Sequence, residues 1–117
     1  MRLREIVDLL SGEIVEGQDG AGQVEVQTCF AADLMSDVLA YSRPGALLVT
    51  GLASIQSVHT ADVADLVAVA YVSGKRPAEK VLELARKRSI VLFTTPLSML
   101  EACGLLHQAG ITAARRI

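Results

Sequence analysis

Three short apolar runs in the second half of the chain constrain the fold most tightly. Residues 46–50, 66–72 and 90–94 show no alternation of apolar and polar side chains. A strand with one face in water alternates, whereas a strand covered on both faces does not. Segments of helical period separate the runs. Residues 55–65 place Ile55, Val58, Val63 and Ala64 on or near one face, and residues 77–88 carry Val81, Leu82, Leu84 and Ala85. Pro77 suits a first helical position, and Arg86, Lys87 and Arg88 suit a last turn, where the helix dipole favours cations. Pro96 opens a final helix over 97–109, closed by Gly110. Buried strands alternating with helices predict a parallel sheet built by right-handed crossovers.

The first half is less regular. Leu3, Ile6, Val7, Leu9 and Leu10 give a helix over 2–10, with Gly12 as the residue just past its end. Residues 13–15 read as a short strand. Residues 17–22 hold three glycines and read as a loop. Residues 24–28 alternate and form a half-buried strand expected in the same sheet. Leu34, Val38, Leu39 and Tyr41 give a helix over 32–42, and Arg43, Pro44 and Gly45 a turn. The expected fold is one compact α/β domain over 1–117, a three-layer sandwich. Its sheet is largely parallel, with four or five strands flanked by helices. The tail, 111–117, either frays or packs on a partner.

Composition excludes several function classes. The 117 residues carry 11 basic and 13 acidic side chains, net −2. A nucleic-acid binder shows a basic stripe, and here the basic clusters are Lys75-Arg76, Arg86-Lys87-Arg88 and Arg115-Arg116. The aromatics are Phe30, Tyr41, Tyr71 and Phe93, all among apolar neighbours and too few for a stacking platform. The longest apolar run is seven residues, against the roughly 20 needed to span a membrane. No signal peptide opens the chain. Cys29 and Cys103 are far apart in sequence and read as two buried thiols of a cytoplasmic protein.

Candidate chemistry collects at the carboxyl ends of the strands, where open parallel sheets bind ligands. Three loops lie there. They carry Gly51 and Ser54, then Ser73, Gly74, Lys75 and Arg76, then Thr95 and Ser98. Each precedes a helix, so each offers unpaired N–H groups and the positive end of a dipole. These are the residues expected to hold a small anionic ligand, with Lys75 and Arg76 supplying charge. Serine and threonine before a helix are equally the residues that cap it. Known phosphate-loop and dinucleotide fingerprints are absent. Asp33 and Asp37 are four apart in the expected helix over 32–42, hence on one face, but read better as a helix-start acid and a surface acid. Cys103 and His107 share a helix face, and two ligands do not make a metal site. No nucleophile, base and orienting acid come together in the sequence, so no catalytic residues, metal or cofactor are assigned.

Three phrases give a further clue: residues 32–40 (Ala-Asp-Leu-Met-Ser-Asp-Val-Leu-Ala), 72–77 (Val-Ser-Gly-Lys-Arg-Pro) and 97–104 (Leu-Ser-Met-Leu-Glu-Ala-Cys-Gly). In this ordered series the chain resembles small stand-alone proteins of the DRTGG domain family, from the first helix to about Gly110. Fuller members carry Gly-Asp-Arg after one strand and Thr-Gly-Gly after the next. Here the matching positions are Gly51-Leu52-Ala53 and Val72-Ser73-Gly74, so the Asp-Arg pair is missing and one glycine is kept. The resemblance implies an α/β fold and a regulatory, ligand-sensing role of the kind found beside CBS domains. It also implies a homodimer. A nucleotide is the ligand class that fits this expectation. The alternative is a non-enzymatic subunit that docks onto a partner enzyme.

Overall fold

A computed structural model describes residues 1–115. Arg116 and Ile117, the end of the tail and of its basic pair, lie outside the described residues. The element order is α1 (Leu3–Leu9), β1 (Glu13–Glu16), α2 (Gln18–Ala21), β2 (Thr28–Ala31), α3 (Met35–Tyr41), β3 (Leu47–Thr50), α4 (Ile55–Val63), β4 (Ala68–Tyr71), α5 (Glu79–Arg88), β5 (Val91–Thr94), α6 (Met99–Gln108) and β6 (Thr112–Ala113).

The strands form one six-stranded sheet in the order β1-β5-β4-β3-β2-β6. All neighbours run parallel except β1, which lies antiparallel against β5. The expected α/β sandwich is therefore present, with six strands in place of four or five. The strand not expected is β6, since 13–15 was already read as a short strand. Glu13–Glu16 closes one edge, and Thr112–Ala113 adds two residues beside β2 at the other.

Parallel register puts Cys29, Leu47, Ala68 and Val91 in one row. Leu47, Ala68 and Val91 are buried with Leu3, Ile6, Ala102 and Leu106, so this row faces the layer of α1 and α6. The alternate residues Leu48, Val69 and Leu92 are buried with Val38, Val58, Val81 and Ala85, under α3, α4 and α5. Two covered faces explain why β3, β4 and β5 read as unbroken apolar runs, since every residue in them is buried. The steps β2 to β3 to β4 to β5 move across the sheet in one direction, with their helices on one face. The return from β5 to β6 puts α6 on the other face, as a common crossover hand requires.

Several local expectations move. The second strand is Thr28–Ala31, not 24–28. Val26 is buried and Glu25 makes an isolated bridge with Arg2, so the alternation there belongs to a connecting segment that tucks under α1. The glycine-rich 17–22 contains the four-residue helix α2. At the end of α1 the left-handed residue is Ser11 (φ 53°), not Gly12. Gly12 answers a different need. A Cβ there would sit 3.0 Å from the Phe93 ring and 3.0 Å from the Thr94 carbonyl oxygen. Pro77 and Pro96 stand before the N-caps Ala78 and Ser98, so each ends the preceding loop instead of filling the first helical position.

Candidate functional site

The eight candidate residues all fall at the carboxyl end of the parallel strands. Gly51 and Ser54 follow β3, Ser73, Gly74, Lys75 and Arg76 follow β4, and Thr95 and Ser98 follow β5. After β4 the chain turns to α5 on one face, and after β5 it turns to α6 on the other. Neighbouring strands whose connections part in this way mark the usual ligand position in open α/β sheets.

At this junction the loops bind each other. The Ser73 N–H donates to the Leu97 carbonyl at 2.7 Å, and the Gly74 N–H to the Thr95 carbonyl at 2.9 Å. The Thr94 hydroxyl donates to the Lys75 carbonyl at 2.8 Å. Thr95 is buried, and its hydroxyl donates to the Leu10 carbonyl while accepting the Leu97 N–H at 3.2 Å. The Ser98 hydroxyl accepts the Glu101 N–H at 3.2 Å, and the Glu101 carboxylate accepts the Ser98 N–H at 3.0 Å. That reciprocal cap satisfies two helix-end donors, and the bond from the Ser98 backbone lowers the Glu101 carboxyl below its ordinary range. The backbone donors of Ser73 and Gly74 and the hydroxyls of Thr95 and Ser98 are thus occupied within the protein.

The long cationic side chains remain outside. Lys75 and Arg76 are exposed. Arg76 donates to both carboxylate oxygens of Glu13, at 3.2 and 3.4 Å. That bond holds the Glu13 carboxyl below the usual carboxylate range. The pair lies in solvent, where such pairs are weak. Gly74 takes the left-handed region (φ 67°) at the tip of this loop, and a Cβ there would meet nothing within 4 Å. Backbone geometry, not space, calls for glycine here.

The end of β3 is built differently. The Asp33 carboxylate accepts the Gly51 N–H at 2.7 Å and the Thr50 hydroxyl at 3.0 Å. Thr50 in turn accepts the Leu52 N–H at 3.1 Å. Asp33 precedes α3, which begins at Met35, so Asp33 and Asp37 do not form a pair on one helix. Its partner lies in the next loop, a tertiary contact that helical spacing cannot reveal. Ser54 is the N-cap of α4, yet its hydroxyl caps nothing. Its Oγ is buried and lacks a hydrogen-bond partner among the described residues. One turn on, the Ser57 hydroxyl is 2.7 Å from the Tyr71 hydroxyl. Burial pushes the Tyr71 hydroxyl up to about 12, so it stays protonated at neutral pH.

A cavity of about 260 Å³ lies at the opposite end of the sheet, between Glu16, Gly17, Ala85 and Arg86. There Arg86 bonds to Glu16 at 2.8 Å, which raises the guanidinium still further. Among the described residues no three or more His, Cys, Asp or Glu side chains are grouped to hold a metal. No helix among them is long and apolar enough to cross a membrane. Tyr41 is 54 % exposed, unlike the covered aromatic expected from its neighbours.

The sequence profile of the DRTGG domain matches residues 5–109. The chain belongs to the DRTGG domain family. No curated protein sequence matches it significantly. Among solved structures, this DRTGG domain is similar to the CBS and DRTGG domains of the regulatory region of Clostridium perfringens pyrophosphatase, complexed with the activator diadenosine tetraphosphate. The TM-score is 0.72 at 19 % identity, over 92 % of this chain and 46 % of that one. The likeness establishes a shared fold, and the chain spans about half the length of that neighbour.

Proposed function

We propose that this chain is a single DRTGG domain acting as a regulatory module that binds a small anionic ligand, a nucleotide, at the carboxyl ends of its strands. One observation carries the reading. The connections of β4 and β5 part to opposite faces, and Lys75 and Arg76 stand exposed at that parting. Lys75 and Arg76 supply the charge, Gly74 lets the loop present them, and the α4 N-terminus with Gly51 and Ser54 lies at the same end of the sheet. Ser73, Thr95 and Ser98 hold the loops in place around the ligand. The fold shared with the regulatory region of a pyrophosphatase complexed with a dinucleotide supports the ligand class. The module works without catalysis of its own, as a homodimer in the cytoplasm.

A thermal-shift screen against nucleotides tests it. A ligand at about 100 times its dissociation constant adds roughly 2.7 kcal/mol, several degrees for a domain this small. Replacing both Lys75 and Arg76 by Ala lowers affinity at least about tenfold, or about 1.4 kcal/mol. Unchanged affinity removes these residues from the site.

A second reading, a subunit docking onto a partner enzyme, is favoured by the exposed apolar side chains Leu34, Leu39 and Tyr41 along α3. Light scattering on the purified chain separates the readings in part, since a strict monomer contradicts the homodimer. A pull-down then asks for the partner.

A further inference from the structure

Cys29 and Cys103 are separated in sequence but not in the fold. Cys29 lies in the row of β2 that faces the α1 and α6 layer, level with Leu47 of β3 and Ala113 of β6. In α6, Ala102 and Leu106 point into the core. Cys103 and His107, one position further round, lie on the flank toward the β6 edge. Between that flank and the sheet is a cavity of about 260 Å³, lined by Cys29, Ala31, Cys103, His107, Thr112 and Ala113. Apart from His107 and Ile111 the lining consists of small residues and the two thiols, so the two sulfurs face one shared space. Both cysteines are free and partly exposed.

We infer that Cys29 and Cys103 form a thiol pair that closes to an intramolecular disulfide, tying β2 to α6 when the protein meets a disulfide oxidant such as oxidised glutathione. The electrons balance in two exchanges. One protein thiolate attacks a glutathione sulfur, forming a mixed disulfide and releasing one glutathione thiolate. The other protein thiolate then attacks the protein sulfur of that mixed disulfide and releases the second glutathione. Two protein thiols lose two protons and two electrons, and one glutathione disulfide becomes two thiols. The bridge fixes α6 over the sheet edge that β6 closes. Burial sets the pace. It raises the Cys29 thiol to about 11, with the nearby Cys103 charge adding to the effect, and it raises Cys103 as well. Since the thiolate is the nucleophile, the reaction is slow at neutral pH and gains about tenfold per pH unit through the mildly alkaline range.

The test is intact mass and peptide mapping of the folded protein after oxidised glutathione treatment, with C29S and C103S alongside. The expected product is a monomer lighter by two hydrogens, with Cys29 and Cys103 in one linked peptide pair. It melts several degrees higher than the reduced form. Each serine variant, checked for folding by its own melting curve, stops at a single glutathione adduct. Glutathione adducts persisting on the unmutated protein, disulfides only between chains, or no reaction of the folded protein when the urea-unfolded chain reacts would each overturn the pair.

Discussion

The ends of β3 and of the β4–β5 pair carry similar residues and are built on different plans. After β4 and β5, three donors spend themselves on the neighbouring loop and a fourth on the end of α1. Ser73 and Gly74 bond to Leu97 and Thr95, Thr94 bonds to Lys75, and Thr95 reaches back to Leu10. After β3, one carboxylate, Asp33, braces the loop from outside, and the Ser54 hydroxyl lies buried without a partner among the described residues. A small polar residue after a strand is therefore a fastener in one loop and an unspent group in the next. Only the position of its partner decides which.

Substitutions sharpen that contrast. Thr95→Val strands the Leu10 carbonyl in the core and costs about 1–3 kcal/mol, read as a drop in urea midpoint. A loss below a few tenths would mean that the loops are not fastened there. Ser98→Ala removes a real cap and costs about 1 kcal/mol. It removes only the smaller, side-chain cause of the lowered Glu101 carboxyl, so that group stays below its ordinary range through the Ser98 N–H bond, which NMR titration follows. Ser54→Ala is expected to go the other way. The hydroxyl makes no cap bond, so nothing is lost, and relief of an unpaired buried group leaves stability level or higher by up to about 1 kcal/mol. A cost as large as that of Ser98→Ala would show that Ser54 caps α4 after all. The smallest effect is at Glu13. Its folded pKa is depressed below 4.5 by Arg76, so the pair contributes above the unfolded pKa and fades as pH falls through the folded one. Arg76→Ala moves the Glu13 midpoint up toward 4.5, with little change in melting because the pair is exposed.

The sequence exposed the fold wherever burial wrote it into composition. Residues 46–50, 66–72 and 90–94 are read as strands because both faces of β3, β4 and β5 are covered. The edges were less legible. β6 is two exposed residues, Thr112 and Ala113, with no periodicity to read. The expected strand 24–28 is displaced because Val26 is buried in the core under α1 while its backbone pairs with the residues that open α1, not with a sheet strand. The direction of β1 is set by its pairing with β5, which no local pattern encodes. The candidate site was legible as a place, since all eight residues lie at one end of the sheet. Their roles were not, because a cap such as Ser98 and an unpartnered hydroxyl such as Ser54 look alike until the partners are known. The bonding partners of Asp33, read as a helix-start acid, and of Glu13 were hidden for the same reason. The bonds to Gly51 and Arg76 span 18 and 63 residues.

The central claim is that the parting of β4 and β5 binds an anion through Lys75 and Arg76. Calorimetric titration of the nucleotide selected by the thermal screen, into the unmutated chain and the Lys75→Ala/Arg76→Ala variant at equal ionic strength, tests it most directly. The account predicts saturable binding that weakens at least about tenfold in the variant, with the melting temperature of the ligand-free variant unchanged. Equal affinity for the two proteins would contradict it.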